Sequence, residues 1–169
     1  LLGGVGFPAH LHGETDTADG AAITRESLPK VINEVHRCGG IAIPAHVDDG
    51  GKGLLRLEVD STRCALEAAM VKQALLTDGL LALEWKSNTP SYPSIWDELK
   101  LRFASVLGSD CHSFQGEAVP GSRYTWIKMA TPSLEGLRLA LLDGQEVSVR
   151  RSDESAGFEP FNTPEHFIE

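Results

Sequence analysis

Short apolar runs alternating with helical periods constrain this chain more than any other feature. Leu28, Val31, Ile32 and Val35 fall on one helix face, and the pattern stops at Gly39 and Gly40. The strand-like "GIAIPAH" follows, then a Gly-rich loop, "DDGGKG", and a helical stretch from about Arg63 to Leu76. A second apolar run, "GLLALEW", ends near Glu84. The Pro-broken "SNTPSYPS" leads to a short helix around Ile95 to Leu101, and "FASVLGSDCH" supplies a third strand. "RYTWIKM" reads as a fourth, and Leu134, Leu137 and Leu141 mark a last helix that "DGQ" ends. Strands separated by helices in this way imply right-handed crossovers and a largely parallel sheet or barrel, an α/β fold. No internal repeat or low-complexity segment interrupts it.

Size and charge narrow the function classes. The 169 residues make one domain or a little less, enough to bury a core, and 41% hydrophobic with 23% charged residues is ordinary globular usage. No apolar run approaches the roughly 20 residues of a membrane span, so no membrane partner is expected. A net charge of −9 argues against a broad nucleic-acid footprint, so an anionic substrate needs a cation or a focused site. Cys38, Cys64 and Cys111 are odd in number and lack zinc-ribbon spacing, which favours a reducing cytoplasm over a disulfide framework. The opening "LLGGVGFPAHLHGETD" has no initiator Met and no signal pattern, and "FEPFNTPEHFIE" stops on an apolar pair. The expectation is a fragment at both ends.

The residues with metal chemistry share one kind of place. His46, Glu84, Asp110 and His112 lie at or just past the C-terminal ends of expected strands, where parallel α/β folds collect their sites. Neighbouring strands are about 4.8 Å apart, so residues distant in sequence can meet at one ion. On an extended strand end Asp110 and His112 would point to the same side. Imidazole with carboxylate suits zinc, manganese or iron, and such an ion lowers the pKa of bound water towards neutrality. A lone histidine after a strand is ordinarily a hydrogen-bonded loop residue; His46 gains weight only beside "SDCH".

With those residues in view, "IPAH" and "GSDCH" resemble the third and fourth motifs of the PHP (polymerase and histidinol phosphatase) metal-dependent phosphoesterase domain. "GSRYTWIKMATPSLEGLRLALLDG" resembles the segment that closes this domain in TrlF-like proteins, where it is joined to an SMC-like or AAA-like ATPase. The resemblance implies the C-terminal half of a distorted (β/α)7 barrel. It implies a loop-rich segment over 1–24, the half-barrel over 25–150 and, over 151–169, a linker toward a following ATPase domain. It makes His46, Asp110 and His112 metal ligands and catalytic. Glu84 matches an acidic strand end that points toward the site without necessarily touching metal. Arg123 and Lys128 flank the next strand, where their charge suits a substrate phosphate or, equally, a surface. The implied reaction is hydrolysis of a phosphate ester in a small molecule or nucleic acid. The alternative is a non-catalytic regulatory module attached to the ATPase.

The chain also departs from that pattern. A whole PHP domain opens with H-x-H on its first strand, whereas "AHLHG", with His10 and His12, follows Pro8 and precedes a polar loop. It reads as a loop at the site rim, which leaves three ligands of a multinuclear set and makes the fragment alone inactive. Cys111 is expected to pack, since its neighbours point the other way. Ser109 lacks a G-x-S-x-G elbow and "DDGGKG" lacks the phosphate-loop arrangement. Asp48 and Asp49 are expected in the mobile Gly-rich loop, solvated. His36 and His166 are expected to face solvent.

Overall fold

In a computed structural model the described residues are 26–49, 53–55, 68–87, 94–143 and 147–154. Helix α1 (Leu28–Arg37) begins with Pro29 in its first turn and buries Ile32. Its end is set by glycine. Gly39 takes φ 78°, its N–H donates to the His36 carbonyl at 2.8 Å, and the Gly40 N–H donates to Val35 at 2.9 Å. This is the paired closure that a left-handed residue after a helix allows. Helix α2 (Ala68–Leu75) turns Val71, Ala74 and Leu75 inward. Helix α3 (Ser94–Leu99) ends where Lys100 takes φ 51°. Helix α4 (Leu134–Asp143) buries Ala140 and Leu141.

Strand β1 (Ala82–Glu84) pairs in parallel with β2 (Ala104–Val106), in the register Ala82 to Ala104. A parallel bridge from Ala42 to Leu80, with the Glu84 N–H donating to Pro44 at 3.0 Å, lays the "GIAIPAH" segment along the free edge of β1. β3 (Thr125–Ile127) and β4 (Val149–Arg151) form a second, antiparallel pair, and β4 also lies against β2. The molecule is therefore mixed α/β: among the described residues β1 pairs in parallel with β2 and with the Ala42 segment, as expected, whereas the expected fourth strand, β3, pairs antiparallel with β4, which the apolar pattern does not mark. "VSVRR" is short, half polar and directly beyond a helix, so its periodicity carried little weight. Its partner, not its propensity, makes it a strand. Arg151 is fully buried there, and a short 3₁₀ turn continues over Ser152–Glu154, so packed structure extends past residue 150.

Two apolar clusters sandwich β1. On one side Leu83 and Trp85 join Ile32, Val47, Leu55, Val71 and Leu75, with Trp96 tilted against Trp85 and Phe103 edge-to-face with Trp96. On the other, Ala82 and Ala104 meet Leu141 of α4 and Val149 of β4. Burial on both faces is why "LLAL" is apolar without alternation. Each large side chain so buried contributes about 1.5–3 kcal/mol. The sandwich fixes the C-terminal ends of β1 and β2 beside the His46 turn. No helix among the described residues is long and apolar enough to cross a membrane.

Candidate metal centre

The His46 turn is held to the end of β1 by main-chain bonds. The Val47 N–H donates to Glu84 at 2.9 Å, Asp49 to His46 at 3.0 Å, and Leu55 back to Val47 at 2.8 Å. His46 itself takes φ 47°. From β2, Leu107 is fixed by the Thr125 side chain, whose hydroxyl accepts from the Leu107 N–H at 2.8 Å and donates to its carbonyl at 2.9 Å. Gly108 follows, and a Cβ there would come within 2.8 Å of Glu84 Oε1. Glu84 therefore lies across the start of "GSDCH", and a glycine gives it room.

Three of the four expected ligands come together. Asp110 Oδ1 stands 3.3 Å from His112 Nε2 and 3.8 Å from His46 Nε2. Asp110 and His112 are exposed, His112 the more so, and His46 is intermediate. The route differs from the expected extended strand end. Asp110 takes φ 48°, so a left-handed residue, not strand alternation, turns its carboxylate between the two imidazoles. The same turn breaks the alternation assumed for Cys111, which is exposed and not packed.

Asp48 and Asp49 correct the solvated-loop expectation. Asp48 accepts from the backbone N–H of Lys86 at 2.8 Å and of Ser87 at 2.9 Å, one carboxylate oxygen each. Asp49 Oδ2 accepts from Lys86 Nζ at 3.0 Å. Charge-assisted bonds of this kind are roughly twice as strong as neutral ones. Opposite them, Arg123 Nη1 donates to the Lys86 carbonyl at 2.7 Å, and Arg151 Nη2 to the Ser87 carbonyl at 2.9 Å. Lys86 and Ser87 are thus gripped through both donors and both acceptors.

The two expected substrate cations separate. Arg123 reaches the site end of β1, bonded to main chain. Lys128 sits at the far end of β3, its N–H on Ser148 and its side chain on an open groove of about 830 Å³ shared with Met129, Leu139 and Ala140. Lys86 was missed, although the logic that selects Glu84 applies to a cation two residues beyond it in "LEWKS". Asp49 beside its ammonium holds Lys86 above the usual lysine range, and the charges of Asp110 and Asp48 act in the same direction. His36 is exposed as expected. His10, His12, Cys64 and His166 lie outside the described residues.

The donor set can be tested against a metal. Donors about 2.1 Å from one tetrahedral ion lie about 3.4 Å apart, and the two separations to Asp110 Oδ1 bracket that spacing. Two imidazoles and a carboxylate match the chemistry of zinc, manganese or iron. Among the described residues, however, no three His, Cys, Asp or Glu side chains close into a group that could hold an ion. The site is two edges sharing one oxygen, short of a closed coordination face. Compared with protein-family models, curated proteins and solved structures, the chain matches none.

Proposed function

We propose that this chain is the C-terminal half of a PHP-type distorted (β/α)7 barrel. Its activity is that of a cytoplasmic metal-dependent phosphoesterase acting on a phosphate ester in a small molecule or nucleic acid. The observation that supports this most directly is the sharing of Asp110 Oδ1 between His46 and His112, because it draws an N and O donor set from two segments far apart in the chain, the His46 turn and the loop beyond β2. His46, Asp110 and His112 would hold zinc, manganese or iron, and the Glu84 carboxylate lies over Gly108, two residues before Asp110. Bound there, a divalent ion supplies Lewis acidity and a water of lowered pKa. The chain's own part is orientation. Left-handed backbone at His46 and Asp110 aims the donors, and Asp110 Oδ1 faces both imidazole Nε2 atoms, favouring their alignment toward one point.

One observation favours a second reading, a regulatory module attached to an ATPase: the set does not close among the described residues. Metal analysis and hydrolysis of bis(4-nitrophenyl) phosphate by the intact protein, with manganese or zinc, separate the two. His112→Ala should weaken metal binding at least about tenfold and lower hydrolysis with it. Equal metal content and equal activity in the variant would remove this site from consideration.

A further inference from the structure

We infer that Lys86 is the residue that receives the anionic oxygen of the substrate's phosphate, with Arg123 acting only through it; this rests on the phosphoesterase reading above. Lys86 lies two residues beyond Glu84, and Asp49, its ion-pair partner, belongs to the turn that carries His46. The ammonium is therefore attached from two directions to the elements that bear the candidate ligands. Its side chain is exposed, so a ligand can reach it.

The main chain of Lys86 is fixed far more firmly than an exposed residue at a strand end requires. Asp48 takes its N–H, Arg123 its carbonyl, and the next residue is held by Asp48 and the buried Arg151. Such support leaves the flexible stem as the part free to move, and a compact ammonium suits a phosphate oxygen approached from varied directions. Asp49 then acts as a placeholder that holds the ammonium at the site until an anion competes for it. In a chain of net charge −9 this local cation is what the substrate's charge needs. Lys128, at the other end of β3, faces a different groove.

Inorganic phosphate is the probe, titrated calorimetrically into the intact protein, alongside steady-state hydrolysis of bis(4-nitrophenyl) phosphate. Lys86→Met, which keeps the apolar stem, should weaken phosphate binding and raise KM about tenfold with metal content unchanged. Lys86→Arg should stay within about threefold of the parent, and Lys128→Ala within about twofold. Asp49→Asn should tighten phosphate about threefold by removing the competing carboxylate, and that gain should vanish in the Lys86→Met background. Phosphate affinity and KM within about twofold of the parent in Lys86→Met would overturn the assignment. Failure of the phosphoesterase reading shows separately, as hydrolysis insensitive to His112→Ala or absent with either metal. The phosphate titration then decides Lys86 alone, a loss of binding upholding its role and an unchanged affinity refuting it.

Discussion

His46 and Asp110 hold left-handed backbone, with φ 47° and 48°, although neither is glycine. Aspartate and histidine enter this region more readily than most residues, yet it still costs about 1–2 kcal/mol per residue. At His46 the cost is offset by the bonds of Val47 to Glu84 and of Asp49 to His46, and by the hold of Asp48 on Lys86 and Ser87. The turn also depends on Gly53. A Cβ there would meet the His46 carbonyl oxygen at 2.6 Å and the Asp49 nitrogen at 2.7 Å, both main-chain atoms with no easy retreat. Gly53→Ala should therefore destabilise the protein by about 1–3 kcal/mol in urea unfolding. It should also weaken metal binding, because the strain falls on the His46 turn. A variant with the parent's stability and metal affinity would show that the turn is not held this tightly.

Between elements, side chains perform joins that regular pairing leaves open. β2 and β3 share no ladder bonds, and the Thr125 hydroxyl bridges them by serving both main-chain groups of Leu107. Thr125→Val keeps the shape and removes both bonds. It should cost about 1–3 kcal/mol, read by chemical denaturation, since it leaves two part-buried main-chain groups without that partner. An effect below about half a kcal/mol would mean that water replaces the hydroxyl at no cost. Arg138 of α4 makes a comparable join, donating to the carbonyls of Gly39 and Gly40 just past α1. Such links explain why element identity was legible in the sequence and element partnership was not. The apolar spacing of α1, α4 and "GLLALEW" reports local burial, whereas the antiparallel pairing of β3 with β4 depends on residues that meet only after the chain has turned back.

For the whole molecule, β1 is the shared wall of both apolar clusters, so its core residues carry stability and site together. Leu83 is fully buried and adjoins Glu84. Leu83→Ala should cost about 2–5 kcal/mol by denaturant unfolding, in the range of large-to-small core changes. Metal affinity should fall only as far as the folded fraction falls. A selective loss of metal affinity in a fully folded variant would show that β1 packing sets donor geometry directly.

By itself the sequence determined the α/β character, the helix faces, the apolar runs that precede His46, Glu84 and Asp110, and the acidic net charge. These are properties of single residues and of short-range period, and hydrophobic spacing encodes them without reference to distant chain. Only the tertiary structure decided that Asp110 Oδ1 lies between His46 and His112, and that Asp48 and Asp49 grip the end of β1. The same holds for the separation of Arg123 from Lys128 and for the position of Lys86 beside the site. The reason is physical. Those contacts join segments dozens of residues apart through left-handed turns and main-chain bonds, and neither has a periodic signature along the chain.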